Sequence, residues 1–550
     1  MNGFLIDLLG AMLILSGAGS AEELTEYESE RFEYYAQHPL RLNQAPRSRL
    51  LSSGLLSSYQ VAALEEYRKR NGDILGKTEL SLVDGIGPAT AEALACFVSF
   101  DSALPPGAKE NHRVRQSLMA RSFARIRDSD TSFAMGGKYH IEFGDRAEFF
   151  WSSRTSYSSP DFRPGTFSLA LYSRRGARLI LGDYAARFGQ GLALWSGMSI
   201  SGFSSVSAFR RNGSGFAPTG SFSPVFRGVA ADIPIGRWSF GGAISEEGMP
   251  TAFVSRFGHS GRFGIQAFRK DGTVVSADGD IALGHWTLFG ESAVSSQLVT
   301  SDGYVLRRTR LAALGGISWA PAYKLRMTAL ARYYPKDFYA PYAGAAGSAS
   351  KVSDETGFSL GAQWRWAEFT ADAASHPDKG TSQYRGIVSL TPEFKAGSAV
   401  LNPCLRWTGK CRPGDRQPWR NELRCDIKAS AGAFSGCVRI DMVRSKDWGS
   451  LCYAEAAYSS DGERLRCMFL LRGTSYRADA WADRIYCYER DLPGCFSVPA
   501  RYGRGWVLSA MSSLRIRPSS KSFRSHGLYL KTSMLGKSSF EVKLQYQLEV

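Results

Sequence analysis

The chain has 550 residues, 44% of them hydrophobic, and a mean hydropathy of −0.21, too long for one compact core and too polar for a helical membrane protein. After residue 20 no run of about 18 uncharged apolar residues occurs, so transmembrane helices are not expected. The charge is divided unevenly: residues 1–98 carry 13 acidic and 8 basic side chains, net −5 against +16 for the whole, which leaves +21 on residues 99–550.

The first segment, Phe4 to Ser16, is apolar and is followed by small residues from Ala18 to Ala21. It reads as a secretory signal over 1–21. Asp7 inside it and the lack of a preceding Lys or Arg leave a buried N-terminal helix as the other reading. Residues 22–38 are acidic, with Leu24, Tyr27, Phe32 and Tyr35 at helical spacing, and predict an amphipathic helix.

Residues 39–100 predict a small all-α module. Leu80 to Leu94 contains a helical turn, the triplet Gly85-Ile86-Gly87, and Pro88 at a helix start. This resembles the hairpin of a helix-hairpin-helix unit. Leu42 to Arg70 resembles a degenerate first copy, in which Ser53-Gly54-Leu55-Leu56 replaces the two-glycine turn. Two such copies would form a tandem domain of the competence DNA-receptor type. In that resemblance the amides of Gly85, Ile86 and Gly87 meet a phosphate, and Arg68, Lys69, Arg70 and Lys77 supply charge. Glu65, Glu66, Asp73, Glu79, Asp84 and Glu92 offset those cations, so a protein-docking or plug role is the alternative.

Residues 101–111 contain Pro and Gly and read as a linker. From residue 112 onward, 12% aromatic content and 57 glycines across the chain fall in short alternating segments broken by turn residues. That pattern predicts a large, antiparallel, all-β transmembrane barrel over 112–550, with an even number of strands, roughly 20–26. Val114–Arg127 is read as its first strand and Phe540–Val550, alternating to the C-terminus, as its last. Pairing these two closes the wall and removes the open edge. Phe540 and Tyr546 are assigned to the lipid face. A basic barrel suits polyanions such as lipopolysaccharide phosphates or nucleic acid, although Lys and Arg also snorkel at membrane rims.

The most distinctive barrel segment, Arg178 to Gly197, includes Gly182-Asp183-Tyr184 and Phe188-Gly189-Gln190-Gly191. Its glycines allow a bend or a close backbone approach, and Asp183, Arg187 and Gln190 can fix a loop inside the lumen. With Arg210–Pro218, Phe226–Ala230 and Tyr333–Tyr342, this segment resembles a family of Bacteroidetes outer-membrane proteins that join a helix-hairpin-helix domain to a barrel. The resemblance implies architecture and location, with the module in the periplasm, more firmly than activity.

No catalytic, metal or cofactor signature emerges, and an enzyme is not expected. Gly357-Phe358-Ser359-Leu360-Gly361 matches a nucleophile elbow by letter but sits in β-alternating sequence, and the seven histidines are scattered. Eight of the nine cysteines crowd into residues 404–495. Cys404 with Cys411 and Cys487 with Cys495 are the candidate disulfides, with free thiols as the alternative. Alternation places Cys425 on an apolar face with Leu423 and Ile427, and Cys437 on a polar face with Arg439 and Asp441. The expected function is a channel whose helical module binds or guides a polyanion, DNA first. The alternative is a non-enzymatic envelope scaffold in which the module plugs the barrel or docks a periplasmic protein.

Overall fold

A computed structural model describes residues 3–16, 26–102, 114–128, 130–197, 203–211, 213–221, 226–258, 260–301, 304–322, 325–518, 524–536 and 539–550. Residues 18–21, where signal cleavage was expected, and most of the 101–111 linker lie outside these.

Alternation with an inverted sense builds the wall. In the strand Phe434–Arg444, Phe434, Val438, Ile440 and Met442 are exposed while Cys437, Arg439, Asp441 and Val443 are buried. Apolar side chains thus face outward and polar ones inward, as a lipid-embedded sheet requires. Twenty-four antiparallel strands form a closed barrel. Closure occurs between its ends: Ser539–Glu549 pairs antiparallel with Val114–Arg127, with Leu118 opposite Leu548. No edge amide row is left unpaired at that seam. Phe540 and Tyr546 are exposed on the outside, whereas Gln545 is fully buried inside. Trp238, Trp286 and Trp364 are exposed at one rim and Trp419 and Trp448 at the other, matching the aromatic girdles of membrane barrels.

The first strand begins, and the last ends, at the rim where the turns are short, such as 144–146 and 236–237. At the opposite rim three longer connections, 188–225, 335–354 and 479–502, contribute segments that fold back onto the inner wall.

The helical part comprises α1 (Gly3–Ser16), α2 (Glu26–Gln37), α3 (Arg47–Ser53), α4 (Ser58–Asn71), α5 (Lys77–Leu80) and α6 (Gly87–Leu94). Gly54 ends α3 in the left-handed region at φ +62°, and a reciprocal capping box between Ser57 and Gln60 starts α4. A two-residue parallel ladder, Leu40–Arg41 on Val98–Ser99, ties the ends of the unit together. Phe32, Leu42, Leu50, Val61, Leu64, Ile74, Leu80, Leu94 and Phe97 form its core, and Leu8, Ala11 and Met12 of α1 join it. The apolar segment at the start of the chain is helical in this structure and rests on that core.

The cysteines are free thiols. Cys404 and Cys411 lie seven positions apart in the single strand Ala399–Cys411, roughly 23 Å at a strand's rise per residue, so the expected bridge between them is corrected. Cys487 and Cys495 are also unbridged. The first thiol lies 2.9 Å from Arg472 Nη2 and the second 2.9 Å from Arg121 Nη1. Cys425 is exposed and Cys437 buried, as alternation requires.

Candidate functional site: a filled lumen

A buried arginine anchors the helical unit to the inner wall. Arg49 of α3 is buried, and its Nη1 and Nη2 donate to Glu148 and Glu142 of the adjacent strands Asp130–Phe143 and Ala147–Ser156. Tyr34 of α2 donates to Glu142 Oε1 at 2.6 Å, and Tyr172 of the wall donates to Glu148. Burial alone would lower the Arg49 pKa, but Glu148, Tyr35 and Glu142 around it raise it above its ordinary value. His140 stacks on Phe150 with centroids 4.0 Å apart, and its Nε2 lies 3.6 Å from Glu148. The ligand atoms of His140, Glu142 and Glu148 fall within 4.8 Å of one another, a metal-like grouping. The Arg49 guanidinium supplies the positive charge between the two carboxylates. The cluster escaped sequence reasoning because its members are distant along the chain. The local signal was His140-x-Glu142 facing Glu148, which alternation sends to one face.

Further contacts surround this anchor. Glu30 of α2 accepts from Lys138 of the wall at 2.6 Å. Ser58 at the start of α4 donates its N–H and hydroxyl to Gly213 O, at 3.0 and 3.2 Å, in one inward connection. Glu33 accepts the Gly494 N–H at 3.1 Å in another. Burial, then repulsion from Glu30, pushes the Glu33 carboxyl up to about 7, although the Gly494 amide works against this. A raised acid pKa means that the docked state favours the protonated form. The contact is therefore strongest below pH ~4.5 and weakens as pH rises to about 7. Hydrogen exchange of the α2 amides, corrected for intrinsic rate, should be faster at pH 8 than at pH 5. Glu33→Gln should remove that difference.

The inward connections are bonded to each other and to the wall. Gln190 and Leu192 donate their N–H groups to Glu291 Oε2 at 2.7 and 3.0 Å, and Gln190 Oε1 accepts the Arg211 N–H at 2.8 Å. Gly344 N donates to Gly191 O at 2.9 Å and Trp195 N to Tyr342 O at 2.8 Å, which join two of the connections. A Cβ on Gly189 would lie 2.6 Å from Glu291 Oε2, so this turn approaches the wall as only glycine allows. Tyr184, Phe188, Phe216, Phe226 and Phe268 make an apolar core inside the barrel. Asp183 is fully buried. It accepts the Phe167 N–H at 2.6 Å and pairs with Arg227 at 2.8 Å. In the third connection, Asp483 accepts the N–H groups of Ser445, Lys446 and Asp447.

The residues expected to meet nucleic acid are placed differently. Arg68 donates to the carbonyls of Leu42 and Asn43 within the helical unit. Arg70 pairs with Glu66 at 2.8 Å and Lys77 with Glu92 at 3.6 Å. Lys69 lines a crevice of about 130 Å³ between α4 and the barrel turns at Arg237 and Gly258. Ile86 is buried in the helical core, and Gly85 lies under the Tyr59 ring with its carbonyl accepting from Gln60 Nε2 at 2.9 Å. Burial, then Asp84, raises the Tyr59 phenol to about 12, and Asp280 of the barrel wall adds to this. Gly85 and Gly87 adopt φ of +76° and +69°, the turn that their sequence required. The two-glycine turn thus forms, while Arg68, Arg70 and Lys77 are partnered within the unit and Lys69 borders the barrel.

No protein-family model and no curated protein matches the sequence. Solved structures do resemble it in outline. The P pilus usher PapC translocation pore superposes with a TM-score of 0.41 at 11% identity, covering 80% of this chain and 99% of that one. The E. coli P pilus tip assembly intermediate PapC-PapD-PapK-PapG gives 0.49 at 12% identity, covering 80% and 62%. Pseudomonas aeruginosa OpdK with vanillate gives 0.31 at 10% identity, covering 80% and 98%. The closed wall, its apolar exterior and its two aromatic rims make this chain an outer-membrane-type β-barrel, here with a filled lumen.

Proposed function

We propose that the protein is an outer-membrane channel closed by its own N-terminal helical unit, which acts as a plug on the periplasmic side. One observation carries this reading: Arg49 is buried against Glu142 and Glu148 of the inner wall, so the unit is held by charges that lipid-facing or solvent-facing docking would not bury. The short-turn rim, where both barrel termini lie, is the periplasmic one in outer-membrane barrels. Passage then requires the plug to move. The scaffold reading, with a periplasmic protein recruited through the plug, shares the same anchor.

In planar bilayers the intact chain should show little or no steady conductance, and removal of residues 26–100 should open a large one. Equal conductance of the two would sink the plug. Duplex DNA serves as a second arm. Because Arg68, Arg70 and Lys77 are occupied within the unit, the intact chain should not retain a duplex in a salt-dependent way at low salt. Retention that is lost on charge reversal of Arg68 to Arg70 would restore the polyanion-guiding role.

A further inference from the structure

The inner wall carries a row of like charges in direct register. Arg385 of the strand Thr381–Leu390 lies opposite Lys410 of Ala399–Cys411, and Lys410 lies opposite Arg420 of Trp419–Ala431. Two inward positions along, Arg406 lies opposite Arg424. Directly paired residues share a face, and their outward neighbours Tyr384, Trp407 and Trp419 are exposed, so these cations point into the barrel. With Lys428, the inward positions of the three strands hold six cations, against the carboxylates of Glu422 and Asp426 alone. Like charges directly opposite destabilise a sheet. Where like charges face each other elsewhere on the inner wall an opposite charge sits between them, as Asp491 does for Lys531 and Lys543 and Arg49 for Glu142 and Glu148.

The neighbouring acids meet only part of this charge. Glu422 bonds to Arg420 Nε at 2.6 Å, and Asp441 of the next strand takes Arg424 and Arg439. Lys410 is half-buried between Arg385 and Arg420, and among the described residues it forms no ion pair. By strand order the strip lies nearly across the barrel from the strands that hold Arg49.

From this register we infer that the strip centred on Lys410 is a binding site for small multivalent anions, of the polycarboxylate or phosphate type. A ligand with two or three negative groups can bridge cations spaced by the interstrand distance of about 4.8 Å. Such an anion offsets the excess of cations around Lys410, and a monovalent ion spans only one position. The proposal names the solute class of the channel read above and rests on that reading for the anion's route, whereas binding itself needs no open path.

The test is thermal unfolding of the full chain in detergent at constant ionic strength, with citrate, pyrophosphate or acetate added. Citrate and pyrophosphate should raise Tm saturably, and acetate should not. Lys410→Met should leave the ligand-free Tm unchanged or higher, since it removes repulsion, and weaken the citrate response at least tenfold. Lys410→Arg should keep the response, as should Lys351→Met outside the strip. No saturable shift, a shift unaltered in Lys410→Met, or a lower ligand-free Tm in that variant would each overturn the site. A saturable shift in a protein that never conducts would uphold the site while refuting the channel.

Discussion

Arg49→Ala is expected to detach the helical plug while leaving the barrel folded. The substitution strands Glu142 and Glu148 together in the wall with no guanidinium between them, and removing one partner of a buried ion pair costs about 3–5 kcal/mol. The loss falls on docking, because the wall closes through its own 24 strands and Arg49 takes no part in that ladder. The barrel should therefore keep its β-sheet circular dichroism and its compact unboiled gel mobility. Protease should reach α4 in the variant and not in the parent, and bilayer conductance should rise toward that of the plug-deleted chain. Combining Arg49→Met with Glu142→Gln and Glu148→Gln should recover part of the docking, since neutral groups in the same space are less costly than unpaired charges. If Arg49→Ala stays as protease-resistant and as silent as the parent, the anchor is elsewhere.

Gly182→Val is expected to prevent the barrel from forming. Gly182 adopts φ +93°, and a Cβ there would stand 2.1 Å from the Phe167 carbonyl oxygen. Directly across the ladder is Gly228, at φ +153°, whose Cβ would stand 2.1 Å from the Ile244 carbonyl oxygen. The wall thus has two facing positions where one strand's backbone runs into the space that a side chain would take. Backbone strain of this kind costs roughly 1–3 kcal/mol, and the steric overlap adds to it. Asp183 next door accepts the Phe167 N–H, so displacing the strand also strips a fully buried carboxylate of a donor. The measurement is the fraction of protein in the heat-modifiable folded band after refolding. Gly248→Ala separates strain from collision: Gly248 has φ +74° but no atom within 4 Å of its Cβ position, and this variant should fold.

Both variants act on residues whose type was visible in the sequence and whose consequence was not. Gly182 and Asp183 stood out because glycine and aspartate interrupt a β-alternating run, which signals a backbone exception. The exception concerns Phe167 on the neighbouring strand, and only pairing reveals which strand that is. Arg49 gave no signal, because an arginine on a short helix is ordinarily solvated. The turn at Gly85 to Gly87 formed as its glycines demanded, yet what lies beside it was set by docking. Tyr59, lying over Gly85, is close enough to sense Arg210 of an inward connection and Asp280 of the wall. The Cys404 and Cys411 pairing failed for a related reason. Gly409 between the two cysteines is a residue type that permits a turn, but Thr408, Gly409 and Lys410 continue the ladder against Glu422, Asn421 and Arg420.

The sequence by itself determined that this chain makes a closed, lipid-facing wall whose last strand meets its first, since side-chain direction alternates with period two and depends only on local order. It likewise determined that a small helical unit precedes that wall, because helix periodicity and glycine turns are local as well. Tertiary structure alone decided what fills the barrel: which carboxylates receive Arg49, which turns fold inward onto Glu291, and which cations stand in one row around Lys410. Those outcomes depend on register between strands and on groups hundreds of residues apart, where burial makes a charge costly and so forces a partner that chain order does not reveal.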